Sequence, residues 1–364
     1  MYFEISRKEL LNPLKNLVSV VEQRQTLPIL GHLLMRVKDQ VLHLTATNSE
    51  VEIVCSIPLL KTSKNDETTV PKKIFDIVRS LPENSQIQVT NEDNHIILKS
   101  GKSRFTLSCL SAQDFPESPQ IQGAEFQITS HLFKKLVSKT AFCVAVNDVR
   151  YYLTGLLLEI SENKMSLVGT DGHRMAVAEC DFDIHETTKV IIPRKAVLEL
   201  LKLLPENENH IKISVSYSHI KFELSDSLIM SSKLIDGSFP DWRSVIPAGS
   251  DKIVLAQTDL LKQSLARVSL LSNEKYKGVK LSLAKNLMVI NARNPQQEEA
   301  TEELPVDYPR EKMEVGFNGV YITEVLNIVS TPWVKLVFSE HNASVLMTEE
   351  DTDDYKWIIM SMRL

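Results

Sequence analysis

The sequence predicts an α+β fold: three tandem copies of one domain, each made of antiparallel strands with helices packed on one side. Three observations predict it. Landmarks recur at a period of about 123 residues, each copy repeats the same order of helical and strand patterns, and Phe-Pro marks the end of a copy. A chain of 364 residues with 43% hydrophobic content holds enough apolar material for cores in two or three domains.

The first landmark is Phe3-Glu4-Ile5-Ser6 followed by Leu10, Leu14 and Leu17. It returns as Phe126-Gln127-Ile128-Thr129 with Leu132 and Leu136, and again as Ile253-Val254-Leu255 with Leu261 and Leu265. The second is Leu30-Gly31-His32-Leu33-Leu34, matched by Thr154-Gly155-Leu156-Leu157-Leu158 and by Lys277-Gly278-Val279-Lys280-Leu281. The third runs from Val70-Pro71-Lys72-Lys73 to Leu81-Pro82-Glu83-Asn84 and resembles Ile192-Pro193-Arg194-Lys195 to Leu204-Pro205-Glu206-Asn207. Its third copy, Phe317 to Val329, lacks the proline and the basic residues. The fourth pairs Phe115-Pro116 with Phe239-Pro240, each leading into a linker of Pro, Ser and Gly. Three homologous domains follow, 1–122, 123–246 and 247–364, each near the usual domain size.

Within a copy the order is short strand, amphipathic helix, alternating strands, second helix and further strands. Ser6-x-x-Glu9 is a capping box, and Leu10, Leu14, Leu17 and Val21 form the buried stripe of the helix it opens. Val41 to Ala46 and His210 to Val215 alternate with period two and read as half-buried strands. Helices are expected at 6–22, 71–81, 129–139, 193–204, 258–270 and 318–329.

Met1 to Ser6 lacks the charged start and long apolar stretch of a secretion signal, and no run approaches the ~20 apolar residues that span a bilayer, so a cytoplasmic protein without membrane contact is expected. Cys55, Cys109, Cys143 and Cys180 are widely spaced, which fits neither a disulfide framework nor a zinc site. The nine histidines show no H-x-x-x-H pair, so no metal or cofactor is expected.

A net charge of -6 argues at first against nucleic acid. The six expected helices nevertheless carry fourteen basic residues against six acidic ones, a surplus of +8, which leaves -14 on the rest of the chain. Lys195 and Lys202 lie opposite the stripe of Val197, Leu200, Leu201 and Leu204, Lys72 and Arg79 repeat that spacing, and Lys134 and Lys135 face away from Leu132, Phe133 and Leu136. Helices facing one way would make a positive surface on an acidic body. A single helix with such a bias is more simply a solvated helix back.

The strongest enzyme-like string, Gly169-Thr170-Asp171-Gly172-His173-Arg174, invites an acid/base reading of Asp171 and His173. Its first-copy counterpart, Ala46-Thr47-Asn48-Ser49-Glu50, keeps the turn without the histidine, so a structural strand-end turn is expected. No G-x-S-x-G elbow occurs, and Gly101-Lys102-Ser103 lacks the leading glycine of a Walker loop because position 96 is Ile96. No catalytic residue is assigned.

Over its whole length the chain resembles the β sliding clamps, the processivity subunits of bacterial DNA polymerase III. The resemblance is carried by Thr26-Leu27-Pro28-Ile29-Leu30-Gly31, Asp148-Val149-Arg150-Tyr151-Tyr152-Leu153, Gly169 to Arg174, Ser272-Asn273-Glu274-Lys275 and Met362-Arg363-Leu364. It implies a non-catalytic, head-to-tail homodimer closed into a ring, sheets outside and helices inside, that encircles duplex DNA without reading sequence. It also implies as partners the primer-template junction, the replicative polymerase's catalytic subunit, the clamp loader, and other polymerases and repair proteins carrying a clamp-binding peptide. The alternative from another class is a triplicated protein–protein scaffold that does not touch DNA.

By the same resemblance Arg24, Lys73, Asn147, Tyr151 and Tyr152 match positions that contact DNA. Lys73 stands where arginine is familiar and Asn147 where glutamine is. Tyr151 and Tyr152 can stack on unpaired bases, or can be two aromatics with one in the core. A peptide-binding cleft is implied at Leu153, Thr170, Gly172, His173, Arg174, Met175, Pro240 and Val245. Its further wall is Asn318, Tyr321, Ser344, Ile358, Ile359, Met360, Ser361, Met362, Arg363 and Leu364. Ser361 replaces a frequent proline there and Ser244 an arginine, while the methionines suit varied peptides. For the dimer seam, Phe105 and Leu107 match one edge and Leu270 and Leu271 the other. Lys73, Lys102 and Arg104 on the first domain would face Glu298, Glu299, Glu302 and Glu303 on the third.

Overall fold

The computed structural model describes residues 1–21, 27–62, 65–117, 121–183, 187–247, 252–339 and 343–363. All six expected helices form. They are α1 (Arg7–Leu17), α2 (Lys73–Ser80), α3 (Ser130–Thr140), α4 (Arg194–Leu203), α5 (Thr258–Val268) and α6 (Gly319–Ile328). The capping box of α1 is complete, since Glu9 N donates to Ser6 Oγ at 3.2 Å and Ser6 N donates to Glu9 Oε2 at 3.1 Å. The helix ends at Leu17, five residues before the expected end, although Val20 and Val21 still bury. Pro71 and Pro193 close strands rather than open helices, because each still pairs with a neighbouring strand, at His32 and Gly155. Asn318 caps α6 by accepting from Val320 N at 3.0 Å. No helix among the described residues is long and apolar enough to cross a membrane.

The chain divides into two compact units, Met1–Lys134 with Lys195–Leu234, and Lys135–Arg194 with Ile235–Leu364. Each unit therefore joins one end copy to half of the middle copy. In the first unit an eight-stranded antiparallel sheet runs in the order 124–129, 210–215, 219–225, 228–233, 51–58, 41–47, 32–38, 66–71. The two copies meet where Leu228–Lys233 pairs with Val51–Pro58, with Met230 opposite Ile53 and Ser232 opposite Val51. The second unit repeats this arrangement in the order 188–193, 155–161, 164–170, 174–181, 355–360, 344–349, 333–338, 253–257. Its seam pairs Arg174–Asp181 with Tyr355–Met360, with Met175 opposite Ile358 and Arg174 opposite Ile359.

Each unit adds a smaller sheet. In the first unit it has five strands and ends on Ser103–Ser108; in the second it has four and ends on Glu299–Pro305. Helices cover the sheets through their apolar stripes. Leu10, Leu14 and Leu17 of α1 are fully buried, and α1 packs on α2 as α5 packs on α6. Burying one such leucine contributes about 1.5–3 kcal/mol. Phe133 meets Phe222 at 6.0 Å in the first unit, and Phe317 meets Phe338 at 6.2 Å in the second.

The expected helical cations require a correction at a few positions, since Lys139 is buried and Arg7 and Lys72 bond backbone carbonyls of the protein, whereas Arg79, Lys202 and Arg267 stay more than half exposed. Lys139 is 7% exposed and forms an ion pair with Glu349, itself 4% exposed, at 2.7 Å. Lys72 reaches the Val21 carbonyl at 2.6 Å, and Arg7 donates to the carbonyls of Val78 and Arg79 at the end of α2. Arg79 pairs with Asp76, Lys134 with Glu206, Lys202 with Glu199 and Arg267 with Glu302. Periodicity identifies the back of a helix but not what covers it. Lys8, Lys15 and Lys73 stand exposed.

Candidate functional site

The turn at 170–174 joins two strands of the second unit and is built by side-chain hydrogen bonds. Thr170 Oγ1 donates to the Arg174 carbonyl at 2.7 Å and accepts from Gly172 N at 3.1 Å. Asp171 Oδ1 accepts from His173 N at 2.9 Å and Arg174 N at 3.0 Å. The same set recurs in the first unit. Thr47 Oγ1 donates to the Val51 carbonyl and accepts from Ser49 N, both at 3.0 Å, while Asn48 Oδ1 accepts from Glu50 N at 3.0 Å and Val51 N at 2.8 Å. Gly172 and Ser49 hold the matching left-handed position, with φ of 84° and 73°. Asp171 is thus an acceptor for backbone amides, and His173 is exposed beside it.

A test follows from the repeat. Asp171→Asn keeps the oxygen that accepts from both backbone amides, as Asn48 does, and loses only the Oδ2 bond to Arg174, so it should cost less than Asp171→Ala. Asp171→Ala strands two amides and should cost about 1–2 kcal/mol by urea denaturation. Equal effects of the two substitutions would contradict this role.

Arg174 fixes the far side of the turn. Its guanidinium bonds Asp171 Oδ2 at 3.0 Å, the Phe142 carbonyl at 3.0 Å and Glu324, and lies 4.4 Å from the ring centre of Tyr321. Arg150 closes the near side, with Nε and Nη2 on Asp148 at 3.0 and 2.8 Å, and those bonds hold the Asp148 carboxyl down at about 2. A Cβ on Gly172 would sit 2.8 Å from Arg150 Nη2, so a larger residue here would push that guanidinium aside as well as adopt a left-handed backbone angle that favours glycine.

Beside the turn opens a cleft of about 150 Å³. Nine of the expected cleft residues line it: Leu153, Thr170, Gly172, Arg174, Met175, Pro240, Val245, Ile358 and Met360. Three lining residues were not assigned from sequence, namely Arg150, Phe239 and Trp242. Phe239 and Trp242 are 4% and 3% exposed and form the floor with Met175 and Ile358, whereas Val245 and Met360 are 43% and 41% exposed on the rim. Trp242 is held by its Nε1 on Glu159 at 3.4 Å and by the Arg243 guanidinium 4.1 Å from its ring. Of the Phe239-Pro240 pair the resemblance implies only Pro240 in the cleft, although a large aromatic before that proline signals a buried anchor.

Nine expected cleft residues are not in this lining. Ile359 is fully buried and Ser344 nearly so, His173 is exposed at the turn, and Tyr321 reaches the site only through Arg174. Asn318 caps α6, and Ser361 N donates to the Ala343 carbonyl. Met362 and Arg363 line a separate depression, and Leu364 lies outside the described residues.

The first unit holds the register counterpart of the cleft, a pocket of about 260 Å³ beside the 47–51 turn. There Glu52 stands where Met175 does, Ser231 where Ile358 does and Lys233 where Met360 does, so the same backbone frame has a polar lining.

Of the expected DNA contacts, Lys73 opens α2 and is exposed, in the first unit. Asn147 and Tyr151 are exposed in the second unit, Tyr151 by 58%. Tyr152 is half-buried against the core cluster beneath the cleft, its ring 5.9 Å from that of Tyr151. Of the pair, Tyr152 is the aromatic set against the core, while the Tyr151 ring stays exposed. Arg24 lies outside the described residues.

The expected seam residues fall on two sheet edges. Phe105 and Leu107 are half-buried, with Lys102 and Arg104 exposed, on or beside the edge strand Ser103–Ser108. Glu299 and Glu303 are exposed on the edge strand Glu299–Pro305, with Glu298 just before it. Glu302 differs, since Arg267 binds it within the same chain and draws its carboxyl below the usual range. Leu270 is 81% exposed and Leu271 half-buried. No group of His, Cys, Asp or Glu able to hold a metal occurs among the described residues.

Comparison with known proteins gives a consistent set. Family models of the DNA polymerase III beta subunit match in three parts: its N-terminal domain over residues 1–119, its central domain over 127–241 and its C-terminal domain over 243–363. The beta sliding clamp of Pseudomonas aeruginosa is 42% identical over 368 residues and that of Escherichia coli 41% over 369, each alignment covering all of both chains. A crystal structure of the Pseudomonas aeruginosa DNA polymerase III subunit beta superposes with a TM-score of 0.97 at 41% identity, covering all of both chains. A structure of that organism's clamp bound to griselimycin also gives 0.97, at 42% identity and the same coverage.

Proposed function

This chain belongs to the family of DNA polymerase III beta subunits, the β sliding clamps, and we propose that it holds its clients through the cleft floored by Phe239 and Trp242. It is a DNA sliding clamp, a non-catalytic processivity subunit that encircles duplex DNA and tethers the replicative polymerase. It acts on DNA in the bacterial cell, and the reading places it in the cytoplasm.

The single observation that carries the cleft assignment is an apolar floor between two fixed arginines. An exposed pocket rimmed by Met360 and Val245 offers an anchor site to an apolar side chain, while Arg150 and Arg174 limit its sides. Among the eight residues that the resemblance implies from Leu153 to Val245, only His173 turns away. We keep the copies at 1–122, 123–246 and 247–364, with DNA contacts at Arg24, Lys73, Asn147, Tyr151 and Tyr152 and seam edges at Ser103–Ser108 and Glu299–Pro305.

Loading onto a closed plasmid tests the clamp. The protein should stay on the circle through gel filtration in moderate salt and leave when one restriction cut linearises it, because retention is topological and not electrostatic. Release from intact circles would contradict encirclement. Met360→Asp or Met175→Asp should weaken an apolar client peptide by about 30-fold or more while leaving retention on circles unchanged. Equal binding by both variants would move the clients elsewhere.

A further inference from the structure

We propose that the pocket enclosed by the large sheet of the first unit and the segment 112–117 binds a small aromatic anion, a flat ring that carries a carboxylate or a phosphate. Its volume is about 620 Å³, within the roughly 300–1,000 Å³ of small-ligand sites. It lies on the sheet face opposite the buried Leu42, Leu44 and Ala46, and shares only Glu52, Pro116 and Glu117 with the pocket beside the 47–51 turn.

The internal repeat indicates the shape of the guest. In the second unit Val168 lies opposite Leu157 and Val177, and all three are fully buried in one cluster with Phe239 and Trp242. In the first unit Thr45 takes that register between Leu34 and Val54, and Phe115 is the counterpart of Phe239. Thr69 stands where Ile191 does, and its hydroxyl donates to the Leu110 carbonyl at 2.9 Å and accepts from Leu110 N at 2.8 Å, so the start of the covering segment is tied to the sheet. No indole lines this space among the described residues, and Val54 is only half-buried where Val177 is fully covered. In sequence the counterpart of Trp242 is Ser118, which lies outside the described residues. A ring of indole size fits a frame whose second copy seats one.

Polarity indicates the other half of the guest. Trp242 Nε1 donates to Glu159 at 3.4 Å, and Glu159 forms a cross-strand pair with Lys189 at 3.5 Å. The first unit holds that pair with its signs exchanged, Arg36 at the register of Glu159 and Glu67 at that of Lys189, joined by Arg36 Nε at 2.8 Å. The bond uses Nε, so the guanidinium keeps its amino donors. With the donor on the protein, the guest must bring the acceptor. His43 stands directly opposite Arg36, and Lys38 follows Arg36 on the same strand face. Burial, then the charges of Arg36 and Lys38, hold the His43 imidazole below its usual value of 6.5, and an anion seated among the three groups raises it. The carboxylates of the lining do not oppose this. Glu67 is engaged by Arg36, and Glu52 lies four residues along its strand from Ser56, the residue opposite His43, or about 13 Å away. The pocket has a basic end and an acidic end.

Titrations of the full-length protein followed by saturation-transfer NMR test this with indole carboxylate, adenosine monophosphate, neutral indole and inorganic phosphate. At least one of the two ring anions should bind about tenfold tighter than indole or phosphate alone, shift the His43 imidazole signals and raise the pH at which they titrate; which of the two binds tells a carboxylate guest from a nucleotide. Arg36→Gln with Lys38→Gln should erase the advantage over indole. Thr45→Trp, which sets a ring in the pocket from the sheet itself, should block every ring ligand, with retention on circular DNA as in the parent. No binding of either ring anion at about 10 mM, or binding unchanged in the Gln pair, would overturn the proposal. So would displacement by a Leu-Leu-Phe peptide, which would put the ligand in the apolar cleft.

Discussion

Lys139→Ala should lower the unfolding free energy by about 3–5 kcal/mol, the expected cost of removing one partner from a buried ion pair. Lys139 Nζ binds Glu349 Oε1 at 2.7 Å, Ser330 Oγ at 3.2 Å and the Ile328 carbonyl at the end of α6, and it faces the rings of Tyr355 and Trp357 at 5.1 and 5.7 Å. Its own carbonyl accepts from Trp357 Nε1 at 3.0 Å. One side chain thus ties α3, α6 and two strands of the second unit, and its loss leaves Glu349 buried with only Ser330 as donor. Lys139→Met with Glu349→Leu removes both charges and should recover most of the stability, because the desolvation penalty disappears with them. Urea midpoints of the three proteins decide the matter; a single variant within about 1 kcal/mol of the parent would contradict it.

The pair also fixes a pH dependence. Burial pushes the Glu349 carboxyl up, but the bonds from Lys139 and Ser330 outweigh it and leave the group below its ordinary value of 4.5. The unfolded chain then binds the proton more readily than the folded one. The contribution is complete above about pH 4.5 and is lost as pH falls through the lower folded value. Glu349→Gln should flatten that acid limb.

Leu270→Lys with Leu271→Lys should abolish the dimer at micromolar concentration. Leu270 stands 81% exposed, a large apolar side chain that a partner would cover. Burying an exposed leucine contributes about 2 kcal/mol and the half-buried Leu271 about half of that, so the two seams of a closed pair amount to about 6 kcal/mol, or roughly ten-thousand-fold in association. Gel filtration should show a dimer for the parent and a monomer for the variant, and the variant should not remain on circular DNA. A variant that stays dimeric would move the seam away from these residues.

Much of this was legible in the sequence because repetition supplies independent readings of the same element. The capping box at Ser6 and Glu9 and the stripe of Leu10, Leu14 and Leu17 are local signals, and local signals survive folding. A cation's fate is hidden where it depends on distant chain: the partner of Lys139 is 210 positions away. The strand wall of the cleft is limited by parity. A contiguous run from Ile358 to Leu364 was assigned to one wall, but alternate residues of a strand face opposite sides, so Ile358 and Met360 line the cleft while Ile359 enters the core. Trp242 was missed because its role depends on Glu159 and Arg243 folding beneath it.

The polar lining at Glu52, Ser231 and Lys233 has a consequence for stoichiometry. The triplication built the same socket twice in each chain, but only one of the two can accept a greasy plug, so a closed pair offers two berths and not four. Polymerase and repair factors on one ring must take turns at those berths, and the order of exchange is set by how fast each lets go.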